Sequence, residues 1–366
     1  MTRLVSLLAQ TVFSESDILQ LLALERPADI ESLREAAYDL TTVEVGNLVH
    51  YRGLVEVSNI CALDCHYCGI RKGNSGVERY CLTQEDVVEA ALWCVEAGYG
   101  SCVLQSGERR DAKYIDFVAA CVAMIKAESV SEALPQGLGV TLSLGEQTLE
   151  TYQKWREAGA HRYLLRIETT NPELFARIHP ASQRFETRAR ALDHLRAAGF
   201  QVGTGVMIGL PGQTLADLAA DVRFFSSQDI DMIGMGPYIV SEGNSMPDSG
   251  MMAVEPLSGL ALRMIAVVRL VLRDVNIAAT TALQALIPDG REKGIAFGAN
   301  ITMPNITPRE VRKNYQLYAG KPGIEEDRGE SRISMERRVN STGRQVGWNR
   351  WGDSRHHYRR MVVAGS

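Results

Sequence analysis

Three cysteines close together in one loop carry the strongest chemical signal in the sequence. Cys61, Cys65 and Cys68 occur with C-x3-C-x2-C spacing directly after a predicted strand, and Tyr67 precedes the third cysteine. Thiolates are the ligands of [4Fe-4S] clusters, which are normally held by four cysteines. A cluster held by three leaves one iron open to a small molecule, with the Tyr67 ring beside it. The spacing therefore predicts a [4Fe-4S] cluster that takes part in chemistry.

Two other interpretations of these cysteines stay open at this point. A structural zinc site needs a fourth ligand, and His66 is poorly placed because it lies between two of the cysteines. An iron-sulfur sensor or electron carrier would normally saturate its cluster with four protein ligands. The remaining cysteines have no ligand spacing: Cys81, Cys94, Cys102 and Cys121. Cys94 and Cys121 lie in predicted helices and Cys102 in a predicted strand, where a cysteine is most often a small buried apolar side chain.

From residue 54 onward, short β-branched runs alternate with runs of helical period, which predicts parallel strands joined by helices. Thr83 predicts a helix start, and Gly98, Gly159 and Gly199 predict helix ends just before strands. The predicted strands are residues 54–57, 101–105, 138–142, 162–166, 201–207, 231–235, 276–281 and 299–303. This pattern favours an α/β fold of the (βα)8 TIM-type barrel class, with a doubly wound open sheet as the rival topology.

The barrel is predicted to occupy residues 51–320, between two extensions. Residues 1–50 are predicted to be a helical extension, with one helix starting at Ser16 and a second over Ile30–Leu48. Residues 321–366 are polar and rich in arginine, and we expect them to form a tail packed on the outside of the barrel.

Polar side chains follow the carboxyl ends of the predicted strands, where a parallel barrel places its chemistry. So many polar groups at one face would lack hydrogen-bond partners unless a ligand were present. We therefore expect a ligand cavity at this face. Besides the cysteines, the candidate residues are Ser106, Gly107, Glu108, Thr141, Ser143, Arg166, Glu168, Arg188, Met207, Thr280 and Thr281.

Composition argues against two classes of protein. The 366 residues carry a formal net charge of -5, whereas nucleic-acid-binding proteins normally have a basic excess. No run approaches the roughly 20 apolar residues of a membrane-spanning helix. The seven cysteines are an odd number and all precede residue 122, which argues against a disulfide framework and favours a reducing, cytoplasmic setting.

Several longer stretches resemble the radical S-adenosylmethionine (SAM) superfamily and, within it, the HydE family of [FeFe]-hydrogenase maturases. The resemblance covers residues 20–320 and part of the tail, residues 343–360. The matching stretches are CALDCHYCGIRKGN, VLQSGE, VTLSLGE, KWREAGAHRYLLRIET, GVMIGLPGQT, MIGMGPYI, ATTAL, FGANITMPN and NYQLYAGK.

The resemblance implies a [4Fe-4S] cluster on Cys61, Cys65 and Cys68, with SAM as the second cofactor. It implies that an electron from the cluster cleaves SAM to methionine and a 5'-deoxyadenosyl radical, which acts on a cysteine-bound Fe(CO)2(CN) species. It also implies an electron donor such as ferredoxin or flavodoxin, and other hydrogenase maturases as partners. The positions implied to bind SAM are Tyr67, Ser106, Gly107, Glu108, Ser143, Glu168, Arg188 and Met207. Those implied to face the substrate are Thr141, Arg166, Thr280 and Thr281.

Three departures from the HydE pattern bear on the function. No cysteine follows Cys121, so the second, C-terminal cluster of some members is expected to be absent. Ile167 stands where the stretch R-H-E-T would place histidine, and the loop 240–245 is also altered. We expect both changes to lie near the cavity. The alternative function is therefore that of a HydE-like paralogue, or of a methylornithine synthase-like enzyme, acting on another small carboxylate.

Overall fold

The computed structural model describes residues 3–246 and 250–364. Its centre is a barrel of parallel strands that lie side by side around a ring. The strands are β1 (Leu48–Ser58), β2 (Ser101–Ser106), β3 (Gly139–Ser143), β4 (Arg162–Leu164), β5 (Gln201–Thr204), β6 (Met207–Ile208), β7 (Met232–Ile233), β8 (Gly236–Pro237), β9 (Asn276–Ile277), β10 (Ile301–Thr302) and β11 (Gln345–Val346).

The order around the ring is β10, β1, β2, β3, β4, β5, β7, β9. The ring closes between β9 and β10, where Ala278 pairs with Ile301 and the Asn300 amide donates to the Ile277 carbonyl at 2.9 Å. Strands β6 and β8 continue β5 and β7 beyond a break and pair with each other. The predicted (βα)8 TIM-type barrel is confirmed, and the open sheet is excluded because the two ends of the strand order meet.

Helices join the strands and cover the outside of the barrel. None of the helices in the described ranges is both long enough and apolar enough to cross a membrane. The helices are α1 (Arg3–Leu8), α2 (Glu15–Leu22), α3 (Pro27–Glu44), α4 (Gln84–Glu96), α5 (Ala112–Glu128), α6 (Leu149–Glu157), α7 (Pro172–Ile178), α8 (Phe185–Ala197), α9 (Leu215–Ser227), α10 (Val254–Leu272), α11 (Thr281–Leu286), α12 (Gly290–Ala296), α13 (Arg309–Arg312), α14 (Arg328–Asn340) and α15 (Arg355–Ala364).

The ends of the helices follow local sequence signals. The Thr83 hydroxyl accepts from the Asp86 amide at 3.2 Å, and the Asp86 carboxylate accepts from the Thr83 amide at 3.1 Å. This reciprocal cap begins α4 as predicted. Gly98, Gly159 and Gly199 all have positive φ, which a glycine adopts readily, and they follow the ends of α4, α6 and α8.

Several strands have other bounds than predicted, and two residues predicted to end one kind of element begin the other kind. Leu48, predicted to end a helix, is the first residue of β1, because the amino end of this strand pairs with β11 of the tail. Thr281, predicted to end a strand, begins α11 after the extended Thr280. A sequence window around Leu48 could not reveal a pairing partner that lies in the last part of the chain.

The C-terminal tail is built into the fold through charged contacts. Asp353 pairs with the buried Arg162 guanidinium, and it lies 3.0 Å from Nε2 of His161. The Trp351 carbonyl accepts from Arg162 at 3.1 Å. His161 and Arg162 stand at the start of β4, so the part of the tail around Trp351 and Asp353 packs at the amino end of this strand, away from the predicted cavity.

Candidate active site

The cysteine loop follows β1 at the carboxyl end of the barrel and is held by one arginine. Through one terminal nitrogen, Arg79 donates to the carbonyls of Asn59 at 2.7 Å and Ile70 at 2.8 Å. Through the other terminal nitrogen it donates to the backbone carbonyls of Arg71 at 2.6 Å and Asn74 at 3.0 Å. A planar guanidinium carries five donors and can gather several carbonyls at once. Arg79 therefore fixes the loop on both sides of the cysteines.

The three cysteines are buried to different degrees. Cys61 and Cys68 are partly exposed and line a central cavity, whereas Cys65 is buried and is not part of its wall. The amides of Leu63 and Glu108 donate to Sγ of Cys61 at 3.4 and 3.3 Å. Burial raises the pKa of all three thiols, to about 12 for Cys68. Two N–H donors on one sulfur suit an iron-bound thiolate, because they stabilise its negative charge.

Tyr67 is held against the end of α7. Its ring meets His179 edge-on with centroids 5.4 Å apart, and its hydroxyl lies 3.4 Å from Nε2 of His179. Nδ1 of His179 lies 3.0 Å from the Phe175 carbonyl, so Nδ1 carries the proton and Nε2 accepts from Tyr67. Burial lowers the pKa of His179 to about 3, so the ring is neutral. The Tyr67 ring is thereby fixed at the cavity wall.

A cavity of about 300 Å³ lies at the carboxyl ends of the strands. It brings together most of the residues predicted for the site: Cys61, Tyr67, Cys68, Ser106, Gly107, Glu108, Ser143, Arg166, Glu168, Arg188, Met207, Thr280 and Thr281. The exceptions are Cys65 and Thr141, which are not part of its wall.

Thr141 and Ile167 face other parts of the molecule. The Thr141 hydroxyl accepts from Nε of Arg162 at 2.8 Å, so the structure does not bring Thr141 to the cavity. Ile167 is fully buried in the hydrophobic core. Its neighbours Arg166 and Glu168 line the cavity, whereas Ile167 is not part of the wall. The expectation that Ile167 lies at the cavity is therefore wrong for its side chain.

Glu168 has a rare backbone conformation at the cavity wall. Its φ is 64°, in the left-handed region that residues other than glycine seldom adopt. Its amide donates to the Gly205 carbonyl and its carbonyl accepts from the Met207 amide, both at 3.0 Å. Burial raises the pKa of its carboxyl, an effect that Arg166, 3.0 Å away, opposes. Such strain is typical of functional sites, and this carboxylate can accept from ribose hydroxyls or an ammonium group.

Arg188 reaches the cavity from α8 through a network of ion pairs. Its Nε lies 2.6 Å from a carboxylate oxygen of Glu146. Glu108 accepts from the Glu146 amide at 2.8 Å and pairs with Arg110 at 2.6 Å. Burial alone would lower the pKa of Arg188, but Glu146 and Glu108 outweigh it and hold the pKa above its ordinary value. Arg188 is thus a fixed cation suited to bind a carboxylate.

Gly107 permits close contact between the end of β2 and the cysteine loop. A Cβ at this position would lie 2.4 Å from the Ile60 carbonyl oxygen and 2.7 Å from Cβ of Cys61. The Gly107 amide donates to the Ser58 carbonyl at 2.9 Å. A larger residue would push the loop away, so glycine keeps Cys61 beside β2.

The cavity wall includes an ion pair that was not predicted. Nζ of Lys321 pairs with the Glu56 carboxylate on β1 and donates to the Tyr315 carbonyl at 2.9 Å. The other Glu56 oxygen accepts from Asn305 at 3.2 Å. Both charged side chains are buried and line the cavity. Lys321, predicted to start an exterior tail, is instead part of the wall, and the stretch NYQLYAGK was the signal that could have located it.

The altered loop 240–245 lies over the cysteine loop. Its Gly243 carbonyl accepts from Nε of Arg71 at 2.9 Å. The Ser245 amide donates to the His66 carbonyl at 2.9 Å. All residues of this loop are described, and none of them lines the cavity. Its position is therefore at the rim of the site, where it fastens the cysteine loop.

Comparisons with known proteins decide the family. A family model described as the radical SAM superfamily matches residues 55–225. The [FeFe] hydrogenase maturase subunit HydE of Thermotoga maritima is 43% identical over 298 residues, which cover 80% of each chain. This chain is a HydE-like member of the radical SAM superfamily.

Relatives outside the HydE group share the same fold. A 3-methylornithine synthase of Methanosarcina barkeri is 28% identical over 295 residues, which cover 81% of this chain and 80% of that protein. The crystal structure of methylornithine synthase (PylB) matches with a TM-score of 0.79 at 25% identity, covering 99% of this chain and 100% of that one. The crystal structure of the maturase HydG matches with a TM-score of 0.79 at 18% identity, over 99% of this chain and 80% of that one.

As a radical SAM enzyme, the protein uses a [4Fe-4S] cluster and SAM. The donors described above fit both groups: thiols with N–H donors for the cluster, and a carboxylate and a guanidinium for the polar ends of SAM. Within residues 3–246 and 250–364, no three His, Cys, Asp or Glu side chains are placed to share one metal ion. Cysteines around a cubane cluster each bind a different iron, so they stand farther apart than the ligands of a single ion.

Proposed function

We propose that this radical SAM enzyme acts in assembly of the diiron cofactor of [FeFe]-hydrogenase, on a cysteine-bound Fe(CO)2(CN) precursor. The observation that carries the proposal is the 43% identity, over 80% of the chain, to a protein named as a hydrogenase maturase subunit. The cavity supports it, because it adjoins two of the cysteines and carries fixed charges in its wall.

When bound, the cluster and SAM supply a 5'-deoxyadenosyl radical. In this proposal the chain's own residues bind the cofactors, orient them and hold the substrate. The cluster ligands are Cys61, Cys65 and Cys68. The SAM-binding residues are Tyr67, Ser106, Gly107, Glu108, Ser143, Glu168, Arg188 and Met207. The substrate-binding residues are Arg166, Thr280 and Thr281.

Arg166, Thr280 and Thr281 offer donors to a carboxylate. One terminal nitrogen of Arg166 donates to the Val206 carbonyl at 2.9 Å, and its buried Nε has no hydrogen-bond partner among the described residues. The Thr281 hydroxyl accepts from Arg291 at 3.2 Å, which leaves its own proton free to donate. Guanidinium and hydroxyl donors suit the carboxylate of a cysteine-derived substrate.

A methylornithine synthase-like function is the alternative. It is favoured by the match between this chain and the methylornithine synthase structure, which covers 99% of one and 100% of the other at 25% identity. The same donors would then bind the carboxylate of another small molecule. The two functions share the cofactors and differ in the substrate.

The partners proposed for this function follow from its chemistry. An electron donor such as ferredoxin or flavodoxin would reduce the cluster, and other hydrogenase maturases would supply or receive the iron species. All seven cysteines are free thiols, as in proteins of reducing compartments, and we propose that the enzyme works in the cytoplasm.

Formation of 5'-deoxyadenosine tests the radical chemistry. The protein is reconstituted with iron and sulfide without oxygen, then mixed with SAM and a reductant. Cys65→Ala should lose the product and the cluster, because two thiolates hold a cubane poorly. Cys81→Ala is the control, since Cys81 is exposed and lacks ligand spacing, and it should match the unaltered enzyme. Full activity in Cys65→Ala would sink the assignment.

Two candidate substrates separate the two functions. A synthetic cysteine-bound Fe(CO)2(CN) complex and L-lysine, an isomer of methylornithine, are each added to the reconstituted enzyme with SAM. We expect only the iron complex to be consumed and to raise deoxyadenosine formation above the rate with SAM alone. Consumption of lysine, with the iron complex untouched, would favour the alternative function.

A further inference from the structure

The sulfur of Cys65, a predicted cluster ligand, is in contact with the side-chain amide of Gln183. Sγ of Cys65 lies 3.2 Å from Oε1 of Gln183. Gln183 stands in the short connection between α7 and α8, and its side chain is buried, with 9% relative exposure. Its Nε2 is buried as well and has no hydrogen-bond partner among the described residues. An amide with unused donors therefore lies against this sulfur.

The state of the sulfur decides which end of the amide faces it. In the thiol form, S–H of Cys65 donates to the Gln183 oxygen, as the structure shows. An iron-bound thiolate has no proton and can only accept, so the oxygen would face a negatively charged sulfur. Half a turn about the last side-chain bond exchanges oxygen and nitrogen in nearly the same volume. A bond from N–H to a charged sulfur is stronger than one between neutral groups.

We propose that Gln183 donates an N–H···S hydrogen bond to Cys65 in the cluster-loaded enzyme and thereby raises the reduction potential of the cluster. Donors to cluster sulfurs disperse negative charge, which favours the reduced form that carries one more electron. Gln183 touches a ligand sulfur and no reacting atom, so it acts through Cys65. The proposal depends on the cluster and is independent of the substrate.

Gln183 is a donor that a side-chain substitution can remove. The amides that donate to Cys61 belong to the backbone of Leu63 and Glu108, and they survive most side-chain changes. A backbone amide, that of Ile70, also donates to Cys68. The bond at Cys65 therefore allows the effect of a single donor to be measured.

Tyr67 is the other side-chain donor close to Cys65. Its hydroxyl proton is directed to Nε2 of His179, 3.4 Å away, because the opposite ring nitrogen is already engaged with a carbonyl. The same hydroxyl is also within hydrogen-bond reach of the Cys65 sulfur, and because Tyr67 is unchanged in every variant of the test, a shift in Gln183→Met reports on Gln183.

The test is a redox titration of the reconstituted, cluster-loaded protein without SAM, followed by the EPR signal of the reduced cluster. Gln183→Met keeps the side-chain volume but has no N–H. The midpoint potential of the cluster in this variant should therefore be more negative than in the unaltered protein. Gln183→Glu should shift at least as far, because a carboxylate adds negative charge beside the sulfur. Midpoints equal to that of the unaltered protein in both variants would overturn the proposal.

Gln147→Met is the matched control. Gln147 has the same 9% relative exposure, and its amide nitrogen donates to the Arg109 carbonyl at 2.9 Å rather than to sulfur. Its substitution should leave the midpoint unchanged, and a shift equal to that of Gln183→Met would trace the effect to packing and overturn the proposal. Iron and sulfide analysis confirms that each variant is loaded. If Gln183→Met holds no cluster, Gln183→Asn decides, because its shorter amide cannot reach the sulfur and should show the same negative shift.

Discussion

Single buried side chains fix the loops that carry the chemistry of this radical SAM enzyme. Asp221 of α9 accepts from the amide and the hydroxyl of Thr170 at 2.7 and 2.6 Å. Thr170 lies two residues beyond Glu168, so this carboxylate holds the segment that follows the strained cavity residue. Burial raises the pKa of Asp221 to about 7 in spite of these two bonds. The segment therefore depends on a carboxyl group that titrates near neutral pH.

Asp221→Asn should remove a pH dependence of stability. An aspartate in the unfolded chain titrates near pH 3.9, whereas Asp221 in the fold has a pKa of about 7. The native state binds more protons between these values, so its stability falls as the pH rises through them. The unaltered protein should lose about 2 kcal/mol between about pH 5 and 8, and the asparagine variant should not. Urea unfolding at both pH values measures this, and equal losses in the two proteins would contradict it.

At the scale of elements, the carboxyl end of α7 holds the cysteine loop. The amide of His66 donates to the Ile178 carbonyl at 2.9 Å, and Nδ1 of His66 lies 3.1 Å from the Arg177 carbonyl. The last carbonyls of a helix have no partners within it and are free to bind such a loop. His179, which directly follows this helix, contacts Tyr67. The end of α7 thus orients two consecutive residues of the cysteine loop, His66 and Tyr67.

The terminal helix α15 is fastened by a histidine between two aspartates. Nδ1 of His356 lies 3.0 Å from Asp274, and Nε2 lies 2.6 Å from Asp229. Both ring nitrogens face carboxylates, so the doubly protonated ring is favoured, and Asp274 with Asp229 raises the pKa of His356. Arg359 and Arg360 of the same helix pair with these two aspartates at 3.0 and 2.7 Å.

His356→Gln should weaken this attachment mainly at low pH. The pKa of His356 is raised in the fold above its ordinary value, about 6.5 in the unfolded chain. The stabilisation is therefore complete below about pH 6.5 and is lost as the pH rises through the folded pKa. We expect a loss of about 1 kcal/mol near pH 6 and almost none near pH 9.

Urea unfolding and hydrogen exchange of the α15 amides measure this difference. Arg355→Gln, at an exposed position on the same helix, is the control and should show no such pH dependence. An equal loss in His356→Gln at both pH values would refute the ionic explanation.

At the scale of the whole molecule, the cavity wall joins distant parts of the chain. Glu56 lies on the first strand, and Lys321 follows 265 positions later, after the last strand of the ring. Their ion pair is buried. A buried pair gives little net stability, but removal of one partner leaves an uncompensated charge. The pair thus joins the first strand of the barrel to the segment that follows its last strand.

Lys321→Met should destabilise the fold by about 3 to 5 kcal/mol, because Glu56 would stay buried without a cation. Addition of Glu56→Gln should recover most of this loss, since the charge itself is then removed. Chemical unfolding of the two single variants and the double variant measures the coupling. Effects that simply add would show that the two side chains do not depend on each other.

The sequence by itself determined the features that depend on short spacing. Three such features are local patterns: the C-x3-C-x2-C motif, the Thr83 cap and the glycines that end helices. The structure shows the Thr83 cap and the positive φ of these glycines. Regular alternation of strands and helices favoured the barrel over an open sheet, and a barrel gathers the carboxyl ends of its strands at one face. For that reason most of the candidate cavity residues were predictable without coordinates.

Only the tertiary structure decided which distant residues meet. The side chain of Ile167 lies in the hydrophobic core, and the Thr141 hydroxyl accepts from Arg162. Lys321 lies in the cavity wall, and Gln183 contacts Cys65. Each outcome depends on the surface that one element presents to another across a long stretch of chain. Periodicity tells which face of an element is apolar, but the partner of that face follows from packing of the whole barrel and its tail.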